Sequence, residues 1–124
     1  MKTPPLDKEL HSMFQVEPLD KCAEAYRAMR PTMNHVHAFL LRLVIGERTV
    51  YGYGRNPGSR APGRTDRNLV RLYQLLDIPQ CVELFRKQEP NLNRKTALSL
   101  LSLIGAKALY GKDYEPYKGK FPEA

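Results

Sequence analysis

The chain has 124 residues, 42% apolar and 27% charged, with 20 Lys+Arg against 13 Asp+Glu for a net charge of +7. That length and balance exclude wholesale disorder and allow one core to close without metals or disulfide staples. The longest apolar runs, 38–41 and 43–45, are split by Arg42 and fall far short of the about 20 residues of a membrane span, and the opening MKTPPLDKELHS places prolines and charges where a signal peptide would be apolar; a soluble, cytoplasmic protein with no membrane partner is expected.

In chain order, Leu6, Leu10, Met13 and Phe14 fall at helical spacing behind Thr3-Pro4-Pro5, where a cap and first-turn prolines belong. Glu17-Pro18 opens a second helix, with Leu19, Cys22, Ala23, Tyr26 and Met29 on one face and Lys21, Glu24 and Arg27 on the other, until Pro31 intervenes. Residues 32–46, TMNHVHAFLLRLVIG, read as a helix capped near Thr32 or Asn34, favoured by length and leucine content. The TVYGYG that follows keeps a strand and hairpin as the alternative.

Residues 51–65, YGYGRNPGSRAPGRT, combine glycine, proline and arginine without any acid or aliphatic side chain other than Ala61. Beyond them, Thr65 or Asp66 can cap a helix with an inward stripe of Leu69, Leu72, Tyr73 and Leu76 opposite Arg67, Arg71, Gln74 and Asp77. Pro79 ends that helix and starts another, which turns Val82 and Phe85 inward. From Asn93 as cap to Gly111 as stop, RKTALSLLSLIGAKALY is apolar almost all round, broken by Ser99, Ser102 and Lys107. The tail GKDYEPYKGKFPEA has no period and is expected to be loosely held, its tyrosines and phenylalanine pinned back on the bundle. No internal repeat is expected.

The expected architecture is therefore all-α: one domain over 1–124 of five or six helices, with an N-terminal helical half (4–50), a basic Gly/Pro-rich loop (51–64), a C-terminal helical half (65–111) and the tail (112–124). Cys22 and Cys81, 59 positions apart and each on an apolar stripe, read as reduced core thiols.

Chemistry is harder to find. The glycines near Gly52 lack the offsets and flanking strand of a dinucleotide loop, and Gly63-Arg64-Thr65 lacks the lysine and spacing of a phosphate-cradling P-loop. On a helix His35 and His37 point about 200° apart, and with His11 remote no metal site is expected, nor a cofactor. No catalytic residues are assigned.

Two binding readings remain. Two helices apolar on most sides are one more than a small bundle is expected to enclose, so Phe39, Leu40, Leu43, Leu98, Leu101 and Ile104 are expected at a protein interface, with another protein or in a homodimer. This gives a small non-enzymatic regulator of inhibitor, adaptor or anti-activator type. The alternative rests on charge: residues 1–50 carry +1, 51–67 carry +3 and 68–124 carry +3. On that reading Arg55, Arg60, Arg64 and Arg67 form an arm along a nucleic-acid backbone.

Overall fold

The computed structural model describes residues 8–52 and 61–110. Within them the chain forms α1 (Lys8–Val16), α2 (Leu19–Met29), a 3-10 turn (Arg30–Thr32), α3 (His35–Tyr51), α4 (Arg67–Leu75), α5 (Ile78–Gln88), a second 3-10 turn (Glu89–Asn91) and α6 (Arg94–Tyr110). The expected all-α class is what the structure shows, with no strand among the described residues. No helix among them is long and apolar enough to cross a membrane.

Polar caps and prolines set the boundaries. Asn34 starts α3 by accepting the His37 N–H at 2.8 Å, Asp66 starts α4 by accepting from Leu69, and Asn93 starts α6 by accepting from Thr96. Asp77 and Gln80 close a reciprocal capping box around Pro79 at the start of α5. The hairpin alternative for residues 35–54 falls, because helix α3 continues through Thr49 and Val50 to Tyr51. Gly52, at φ 84°, then stops it in the left-handed conformation that glycine adopts without strain. The expected start at Thr3-Pro4-Pro5, the stop at Gly111 and the aromatic tail lie outside the described residues.

The expectation of no internal repeat is overturned. Helices α4, α5 and α6 begin 59 positions after α1, α2 and α3, and the two sets have equal lengths and the same intervening 3-10 turn. The offset needs no gap: Cys22 falls on Cys81, Arg27 on Arg86, Pro31 on Pro90, Asn34 on Asn93, Gly46 on Gly105 and Tyr51 on Tyr110. Contacts repeat with the sequence. Cys22 Sγ points to the carbonyls of Phe14 and Glu17, and Cys81 Sγ to those of Tyr73 and Leu76, the corresponding residues. Tyr26 meets Tyr110 edge to face at 6.2 Å, while Phe85 meets Tyr51 in the same way at 6.3 Å. The described residues thus form two three-helix halves related by a pseudo-two-fold.

The halves join where α3 crosses α6. A Cβ on Gly46 would collide with the Leu101 carbonyl, and one on Gly105 with the Arg42 carbonyl, so the two backbones touch only because both positions are glycine. This contact answers the surplus of apolar helix. Each long helix is covered on one side by the other and on the remaining sides by shorter helices of both halves, so Leu41–Glu47 and Leu100–Lys107 are buried throughout. Two enclosed helices fit because glycine lets them approach as closely as their backbones allow.

Two apolar clusters flank the crossing, and each half completes the other's. Val50, at the end of α3, lies among Tyr73, Cys81, Phe85, Ala97 and Leu100 of the C-terminal half. Leu109, at the end of α6, lies among Phe14, Cys22, Tyr26, Ala38 and Leu41 of the N-terminal half. Both are fully buried, and each such side chain contributes roughly 1.5–3 kcal/mol of transfer free energy that only the joined halves realise.

Candidate interaction surface

The positions expected at a protein interface divide in two. Leu43, Leu101 and Ile104 are buried within the single chain, at the α3–α6 crossing and in the C-terminal cluster, whereas Phe39, Leu40 and Leu98 are half-buried. Of the arginine arm, Arg64 and Arg67 are exposed; Arg55 and Arg60 lie outside the described residues.

Four cations have structural roles. Arg27 Nη1 donates to the Leu109 carbonyl at the end of α6, and Arg86 Nε donates to the Val50 carbonyl at the end of α3 at 2.9 Å. Each half therefore caps the long helix of the other, satisfying carbonyls that a helix end leaves open. Arg48 Nη1 donates to the carbonyls of Phe14 and Glu17 at 2.7 and 2.6 Å, and its counterpart Lys107 donates to those of Gln74 and Leu76. The sequence signal for these roles is the repeat itself, since Arg27/Arg86 and Arg48/Lys107 hold corresponding positions.

The thiols are placed for packing. Cys22 and Cys81 are free and fully buried. Burial raises both above the usual thiol value of 9.0, outweighing the nearby Arg48 at Cys22 and Lys107 at Cys81; a nucleophilic thiolate needs the opposite shift. Burial likewise raises the Tyr73 phenol and lowers the Lys107 ammonium. His35 Nδ1 bonds to Arg30 Nη2 at 2.9 Å and His37 Nδ1 to the Asn34 amide at 3.3 Å, each within its own local turn. No group of three His, Cys, Asp or Glu that could hold a metal occurs among the described residues.

Exposed large apolar side chains occur on both halves, Val16 and Val36 on the first and Leu72 and Leu75 on the second. Residues 61–66 are bonded to the start of α6: the Arg94 N–H donates to the Ala61 carbonyl at 2.9 Å, the Asn93 amide to the Arg64 carbonyl at 2.8 Å, and the Asp66 N–H to the Thr96 hydroxyl at 2.9 Å. This part of the basic segment is a docked strap that sets Arg64 beside the first turn of α6, with its exposed Arg94 and Lys95.

Helix α4 departs from its expected stripe. Tyr73 is buried and Leu69 and Leu76 are half-buried, but Leu72 is 43% exposed and Leu75 is 77% exposed. The reason is rotation: the stripe is centred on Tyr73, whose ring fills the core, and this turns Leu72 and Leu75 into the outer face with Arg67, Asn68 and Arg71. Helix α4 contains no acidic residue. The corresponding helix α1 also exposes an apolar end, at Val16, yet sets Ser12 where α4 has Arg71. An apolar patch edged by arginines is thus particular to the C-terminal half.

Comparison with known proteins adds no assignment: no protein-family model, no curated protein and no solved structure matches the chain.

Proposed function

We propose that the protein is a small non-enzymatic regulator that acts by binding another protein, of inhibitor, adaptor or anti-activator type, through the outer face of α4. The observation carrying this reading is Leu72 and Leu75 exposed among Arg67 and Arg71 on a helix without acids. Apolar anchors beside arginine are the composition of interface hot spots. The matching surface on the partner is apolar with an acidic rim. A second copy of this chain would set arginine against arginine on that face, so the partner is a different protein.

Leu72→Glu/Leu75→Glu is expected to stay folded, within about 0.5 kcal/mol of the parent, because both side chains already face water. A partner retained by the parent and by Val16→Glu, the corresponding change on α1, should be lost by the double variant. Retention of the same proteins by all three would reject the α4 face.

Nucleic acid is the second reading, favoured by the strap that adds Arg94 and Lys95 to Arg64 and Arg67. It requires a complex with a short duplex or RNA strand, visible as light-scattering mass at low salt and dissolving as salt rises. No mass increase at low salt would rule it out.

A further inference from the structure

The pseudo-two-fold raises a question of partner choice. At the crossing of α3 and α6 the two helices carry the same residues at corresponding positions: Ala38 and Ala97, Leu41 and Leu100, Ile45 and Ile104, Gly46 and Gly105. Nothing in these residues distinguishes the pairing of an N-terminal half with a C-terminal half from the pairing of two like halves.

Two differences lie beside the crossing: buried Glu47, whose counterpart is Ala106, and a three-residue polar cluster. Arg42 is buried, donating from Nη1 to the Tyr26 hydroxyl at 2.7 Å and from Nε to the Ser102 hydroxyl at 3.2 Å. The pseudo-two-fold counterparts of Tyr26, Arg42 and Ser102 are Phe85, Leu101 and Leu43, and all three fall in the C-terminal apolar cluster. All three members thus differ together: hydroxyl, guanidinium and hydroxyl on one side, ring, isobutyl and isobutyl on the other. Each trio draws two residues from one half and one from its partner.

We propose that the Tyr26, Arg42 and Ser102 cluster is a pairing-selectivity element, admitting a C-terminal half to the α3 face and rejecting a second N-terminal half. If two N-terminal halves met, each Arg42 would lose the Ser102 hydroxyl and meet Leu43 in its place, and two buried guanidinium groups would share one crossing. A buried charge that loses one of its hydrogen bonds and gains a like charge nearby is a costly change in a core. Two like C-terminal halves would set Leu101 against Ser102, a far milder mismatch. The polar trio therefore acts mainly against the N-terminal half, as a single buried polar residue does in fixing partner choice between similar helices.

Full-length variants test this without separating the halves. Phe85→Tyr/Leu101→Arg/Ser102→Leu gives both halves the N-terminal residues at the three positions and so brings two guanidinium groups to one crossing with leucine in place of the Ser102 hydroxyl. Adding Tyr26→Phe/Arg42→Leu/Leu43→Ser moves the polar trio to the opposite side of the pseudo-axis and restores a mixed pair, with Glu47 and Ala106 left in place throughout. Followed by circular dichroism, the first variant should lose its cooperative thermal transition or fall by at least about 15 °C. The six-fold exchange should regain at least half of that loss. A like-pair variant that melts at the parent temperature, or an exchange variant that melts no higher than the like-pair variant, would overturn the proposal.

Discussion

Replacing either crossing glycine by alanine is expected to destabilise the protein by about 3 kcal/mol or more, lowering the unfolding midpoint by roughly 10–20 °C. The cause is steric. A methyl on residue 46 would overlap the Leu101 carbonyl, and one on residue 105 the Arg42 carbonyl; neither carbonyl can rotate away as a side-chain tip would, because each belongs to a helix ladder. The helices must separate, and separation loosens both flanking clusters at once. Gly46→Ala and Gly105→Ala should therefore be strongly sub-additive when combined, since helices already moved apart for one methyl admit the second at small extra cost. Gly52→Ala is the control: its positive φ makes alanine unfavourable by about 1 kcal/mol, but no atom lies within 4 Å of the added carbon. Urea melts of the four variants check this, and crossing variants no worse than Gly52→Ala would contradict backbone contact at the crossing.

The second large effect is expected at Lys107. Its ammonium sits in the core side of α6 and donates to the Gln74 and Leu76 carbonyls where α4 ends, although burial disfavours its charge. Lys107→Met would keep the stem and remove both hydrogen bonds, at a cost of about 2–3 kcal/mol. Lys107→Arg should stay within about 1 kcal/mol of the parent, because the corresponding residue Arg48 does the same work at the end of α1. The test is the ordering of denaturant midpoints. Arginine melting as low as methionine would show that carbonyl capping is not what position 107 supplies.

The helices and their starts were legible because caps and prolines act over three or four residues. Asn34, Asp66, Asn93 and Pro79 announce helix starts that the structure contains, and the stripes of Cys22, Tyr26 and Phe85 announce buried faces. Pairing was not legible. A helix apolar all round has no face to read, and a glycine inside it looks like a cost in helix propensity until its counterpart 59 positions away is set beside it. The repeat stayed hidden because its matching positions are the ones that turn the chain or touch backbone, whereas the outward positions differ freely: Ser12 against Arg71, Val36 against Lys95. For the same reason the capping roles of Arg27 and Arg86 were not legible, since their acceptors, Leu109 and Val50, lie far along the chain. The α4 surface was misread through one residue, as the period that places Leu69 and Tyr73 inward also admits Leu72, and the volume of the Tyr73 ring decides the rotation.

Neither half has a complete core of its own, because Val50 closes one cluster and Leu109 the other. Native-state amide exchange along a denaturant series tests it most directly. The slowest amides of α2 and α3 should open with the same free energy as those of α5 and α6, and the two sets should shift together as denaturant is added. One half opening more than about 2 kcal/mol below the other would show that the halves fold independently, and would contradict the interlocked core described above.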